Sequence, residues 1–60
     1  MYLFVAHYFN MDNDEEIEKK IEFEAQFFDT EKECYLYAMS RAIEMKNKNE
    51  AFSSLELISC

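Results

Sequence analysis

The 60-residue chain predicts an α+β fold, a small β-β-α-β domain with a three-stranded antiparallel sheet of order 2-1-3 and one helix packed on one face. Three observations predict it. Residues 2–9 and 17–27 carry strand patterns, residues 30–46 carry a capped helical repeat, and polar breaks at 10–14 and 47–50 divide the chain where it must turn. With no glycine and no proline, those turns fall to Asn, Asp and Ser, which tolerate left-handed backbone or hydrogen-bond their own main chain.

Each element follows from its own pattern. Residues 2–9 form an unbroken aromatic and aliphatic run whose length suits a strand. Both alternate sets are apolar, Leu3, Val5, His7 and Phe9 on one side and Tyr2, Phe4, Ala6 and Tyr8 on the other, which predicts a central strand. A second strand over about residues 20–28 alternates Ile21, Phe23, Ala25 and Phe27 inward with Lys20, Glu22, Glu24 and Gln26 outward. Upstream, Ile17 and Glu18 keep the same parity, but Lys19 interrupts the inward set, so the ordered strand is expected to begin at Lys20 or Ile21.

The helix is predicted over about residues 31–47. Thr30 caps it, Glu33 completes a capping box, and Glu31 and Glu33 sit at the positive end of its dipole. Phe28 is placed to staple against Cys34. Tyr35, Leu36, Met39, Ala42 and Ile43 recur at three and four as its apolar stripe, and Asn47 or Asn49 is expected to take a left-handed exit. A final strand over about residues 54–59 turns Leu55 and Leu57 inward and Ile58 outward, with Phe52 sealing the core. A tight hairpin makes the first two strands antiparallel, and the helical crossover brings the third strand against the first, which then lies in the middle.

Length makes this one domain, residues 1–60, because no part could bury a core of its own. A chain of this size buries only about 60% of its unfolded surface, so its core needs a supplement. The composition is 50% hydrophobic and 17% aromatic, which excludes disorder and favours sharing apolar surface, in a homodimer or with another protein. Cys34 and Cys60 lack the dense spacing of a secreted scaffold and read as free thiols in a reducing compartment. The apolar opening has no basic leader or cleavage motif and is too short to span a bilayer, so the expected location is cytoplasmic, with no membrane partner.

Charge narrows the partners. The net charge is -7, from 13 acids and 6 bases. Ten acids and three lysines fall within residues 12–33, so the excess lies in one third of the chain. Direct recognition of DNA or RNA is excluded, since no basic patch offsets that repulsion. Asp12, Asp14, Glu15, Glu16, Glu18, Glu22 and Glu24 instead form an expected acidic surface. It is either a solvated face that keeps a sticky domain soluble or a rim for a basic partner. Alternate acids about 6.8 Å apart could also imitate a nucleic acid, a reading that Lys20 in the middle of the row weakens.

Tyr2, Phe4, Tyr8 and Ile58 are the expected protein interface, and if the helix covers that face, Leu3, Val5 and Phe9 inherit the role. Parity sorts the two faces without saying which one the helix covers.

No cofactor or metal is expected. Residues 12–16 are acidic, but a calcium loop of the EF-hand type needs a glycine at its bend and a helix on each side. His7 is the sole histidine and reads as a packed or half-exposed ring, and Cys34 has no base or orienting partner in the sequence pattern to make it a nucleophile. The chain is therefore expected to be no enzyme. It reads as a small acidic protein-interaction module, a regulator or inhibitor acting through an apolar sheet face with an acidic rim. The alternative is a nucleic-acid-mimicking inhibitor of a nucleic-acid-binding protein.

Overall fold

The computed structural model describes residues 1–24, 26 and 28–59. It shows the β-β-α-β order, with β1 at Tyr2–Asn10, β2 at Glu16–Phe23, α1 at Glu31–Glu44 and β3 at Glu50–Ser59. The sheet order is β2-β1-β3, both pairings are antiparallel, and the helix lies across one face. Ala25, Phe27 and Cys60 lie outside the described residues.

The hairpin closes tightly because its polar residues supply their own bonds. The Asn10 side chain accepts from the Asp12 amide at 2.9 Å, and Asn13 accepts from Glu15 at 3.1 Å. Asp14, at φ 60°, takes the left-handed conformation that a chain without glycine must place on Asn or Asp. β2 accordingly starts at Glu16, earlier than expected, and ends at Phe23, where Phe28 and Tyr37 pack edge-on or tilted against it and each other.

Lys19 was expected to disturb β2, and the structure corrects this. The side chain does point inward, but its ammonium donates to the Met45 carbonyl at 2.7 Å and to the Glu50 carboxylate at 2.8 Å, and it lies 4.7 Å from the centre of the Tyr8 ring. Glu50, only 5% exposed, also receives the Asn47 amide at 2.9 Å. The Lys19 ammonium holds the Glu50 carboxyl below its ordinary range, with the Asn47 amide adding to the effect and burial opposing it. This cluster explains why β3 begins at Glu50 rather than about residue 54. The residue assigned to a polar break is an anchor of the strand.

At its start the helix behaves as its sequence predicts. Thr30 accepts from the Glu33 amide at 3.2 Å, while Glu33 reaches back one residue further than a standard capping box, to the Asp29 amide. Its end differs from expectation. Met45 caps it in right-handed backbone, and the left-handed exit at Asn47 or Asn49 does not occur. The terminal carbonyls do not need one, because Lys19 and Tyr8 reach them from the sheet.

The buried stripe of the helix also differs. Cys34, Ala38 and Ala42 face the sheet, whereas Tyr35, Leu36 and Ile43 are exposed. The reason is volume. β1 presents Phe4 and Tyr8 to the helix, and small residues opposite large ones bring the layers to close packing. Phe4 is 1% exposed, stacked near Tyr2 and Phe23 at 6.0 and 5.8 Å and met edge-on by Tyr35 at 6.2 Å. Ile17, Ile21, Phe23, Phe52, Leu55 and Met45 complete the core, with Phe52 edge-on to Tyr8.

The Tyr8 hydroxyl donates to the Ala42 carbonyl, one of the last four of the helix. Burial pushes this phenol above its ordinary value, partly offset by Lys19 and reinforced by Glu50. Tyr8→Phe keeps the ring and orphans the carbonyl, so an expected loss of about 1–3 kcal/mol should appear in urea unfolding. A variant as stable as the parent would show that the bond contributes nothing net.

Candidate binding surface

The helix covers the side of β1 that carries Phe4, Ala6 and Tyr8, all buried. The expected interface is therefore corrected: Phe4 and Tyr8 are core, Tyr2 stacks with Phe4 and Phe23, and Ile58 alone of the four is markedly exposed. Burial of that face turns the other parity of β1 outward, and Leu3, Val5, His7 and Phe9 run along the middle of the uncovered face. Leu3, Val5 and His7 are half-buried by their neighbours, and Phe9 is 39% exposed.

Register decides what flanks them. On β2, Glu22 lies beside Leu3, Lys20 beside Val5, Glu18 beside His7 and Glu16 beside Phe9. On β3, Glu56 lies beside Val5, Ser54 beside His7 and Ala51 beside Phe9. The alternation read from β2 thus places Glu16, Glu18 and Glu22 in an exposed row along the apolar line. Asp12, Asp14 and Glu15 extend it into the exposed hairpin loop, while exposed Glu24 falls beyond the end of β2.

His7 occupies the centre of the face. Nε2 is 3.1 Å from a Glu56 oxygen and Nδ1 is 3.7 Å from a Glu18 oxygen, so one imidazole links both outer strands. Next to it a bulge in β3 inserts Ser53 between the pairs His7–Ser54 and Tyr8–Phe52. The short serines leave an open hollow of about 190 Å³ lined by His7, Tyr8, Phe9, Glu16, Ser53 and Ser54. Its chemistry, one carboxylate from Glu16, the hydroxyls of Ser53 and Ser54 and the Phe9 ring, suits a cation or an amide set against an aromatic ring.

Other candidates fare differently. Cys34 is a free thiol in the first turn of α1, and it is buried. Among the described residues no three His, Cys, Asp or Glu side chains are arranged to hold a metal, and no helix is long and apolar enough to cross a membrane. Sequence reasoning missed the His7 bridge, because Glu18 and Glu56 meet it only through strand register. It missed the Lys19–Glu50 pair because β2 and β3 are not neighbours, and the two side chains meet only across the helix-facing side of β1, over the Tyr8 ring. Comparison with protein-family models, curated proteins and solved structures finds no match.

Proposed function

We propose that this chain is a protein-interaction module, a regulator or inhibitor, whose uncovered sheet face receives a basic, partly apolar segment of another protein. The observation that carries the reading is the register of β1 on β2, which sets Glu16, Glu18 and Glu22 beside Phe9, His7 and Leu3. Apolar contacts along β1 would supply affinity, and the carboxylate row would steer and orient the partner. A nucleic-acid-mimicking inhibitor is the second reading, favoured by the same row. Lys20 interrupts the negative charge midway, so a mixed apolar and basic partner fits better.

Affinity capture from the native host, followed by titration of the purified partner, tests the proposal. Affinity should fall steeply with added salt. Combined Glu16→Lys, Glu18→Lys and Glu22→Lys should abolish binding, and Phe9→Asp should weaken it by about tenfold or more. Binding that survives all four changes would remove this face from consideration.

A further inference from the structure

The carboxylates of the uncovered face are not equivalent. Glu18 and Glu56 lie 3.7 and 3.1 Å from the ring nitrogens of His7, so the central imidazole already engages one acid from each outer strand. Glu16 makes no hydrogen bond or ion pair with any described residue, and it lines the hollow beside His7. Register sets it next to Phe9, whose neighbour on β3 is the small Ala51. Where β3 bulges, Ser53 and Ser54 are both exposed and both line the same hollow. The hollow of about 190 Å³ therefore runs across β1, with a carboxylate on the β2 side, an aromatic ring in the middle and two hydroxyls on the β3 side. Neighbouring strands lie about 4.8 Å apart, so its two polar walls stand on backbones roughly 10 Å apart.

We infer that this hollow takes a guanidinium, the side chain of an arginine in the basic segment, an assignment that rests on the partner face proposed above. Charge selects a cation. An anion would meet the Glu16 carboxylate and the excess acid of residues 12–33 on the hairpin and β2. Shape then selects arginine over lysine. A guanidinium is planar and carries five donors around its edge, so it can pair with Glu16 on one side, donate to the serine hydroxyls on the other and rest its flat face on the Phe9 ring. An ammonium is a compact, strongly hydrated point charge, which serves one wall and leaves the other to water. A neutral amide brings donors without the charge that Glu16 attracts.

Titration of N-acetyl-arginine methylamide into the isotope-labelled full chain, followed by amide NMR at physiological salt, tests this. Screening at that salt suppresses diffuse attraction to the net negative charge. Saturable shifts are expected at Phe9, Glu16, Ser53 and Ser54, with a Kd of about 10 mM. The lysine analogue and the neutral citrulline analogue should each bind about fivefold more weakly or worse. Glu16→Gln should weaken the arginine probe about fivefold and Phe9→Leu about threefold, whereas Glu44→Gln, an exposed acid at the end of α1, should change nothing. If Phe9→Leu fails to fold, Glu16→Gln decides, since Glu16 is exposed. Shifts that do not saturate, an equal response to lysine, or arginine binding indifferent to Glu16→Gln would each overturn the assignment. Those outcomes strike the hollow alone, because the partner's response to Glu18→Lys and Glu22→Lys is measured separately. Arginine seated in the hollow beside a partner indifferent to those reversals would remove the partner reading instead.

Discussion

Phe4→Ala is expected to remove about 3–5 kcal/mol of stability, the range for emptying a fully buried aromatic site. Against the roughly 3–9 kcal/mol that a chain of this size has in total, much of the molecule would be unfolded at room temperature. Few residues could collapse into the gap. Phe4 touches ring neighbours from β1, β2 and the helix in Tyr2, Phe23 and Tyr35, and the helix offers only Cys34 and alanines opposite the sheet. Urea unfolding followed by far-UV circular dichroism measures the change. A loss below about 1 kcal/mol would mean that Phe4 sits at a surface, as an interface residue would, and would contradict the packing of the helix on this face.

The Lys19–Glu50 pair should give the second large effect, with a signature in pH. Glu50 has a carboxyl held below its ordinary value of 4.5, first by Lys19 and then by the Asn47 amide. A group whose folded value is depressed contributes stability that is complete above the unfolded value and is lost as pH falls through the folded one. The acid limb of the stability curve should therefore be steeper for the parent than for Glu50→Gln. Lys19→Met leaves a buried carboxylate without its cation and the Met45 carbonyl without its donor, so it should destabilise strongly at neutral pH and less in acid, where Glu50 is protonated. Adding Glu50→Gln to Lys19→Met should restore part of the loss, since breaking a buried pair costs more than removing both charges. Strictly additive changes, or equal losses at both pH values, would show that the two side chains are not coupled.

Much of the fold was legible because it depends on local pattern. Alternation in β2 placed Ile17, Ile21 and Phe23 inward and Glu18, Lys20 and Glu22 outward, as observed. Thr30 and Glu33 marked the helix start through hydrogen-bonding chemistry that needs no tertiary partner. Two apolar parities in residues 2–9 put β1 in the middle of the sheet, and the sheet order followed.

The errors cluster where two elements meet. Spacing alone put Met39 and Ala42 in one stripe with Tyr35, Leu36 and Ile43, whereas the bulk of Phe4 and Tyr8 across the gap turns Cys34, Ala38 and Ala42 inward. Lys19 looked like a defect because its partners, Met45 and Glu50, lie 26 and 31 residues away in the chain.

Sequence by itself determined the element order, the parity of each strand and the place of the negative charge, because spacing along a chain dictates which side chains share a face. Only the tertiary structure decided which face of β1 the helix seals, and hence that Leu3, Val5, His7 and Phe9, rather than Tyr2, Phe4 and Tyr8, lie along the uncovered side. Periodicity is blind to that choice. Complementary volumes of aromatic rings on the strand and small side chains on the helix settle it.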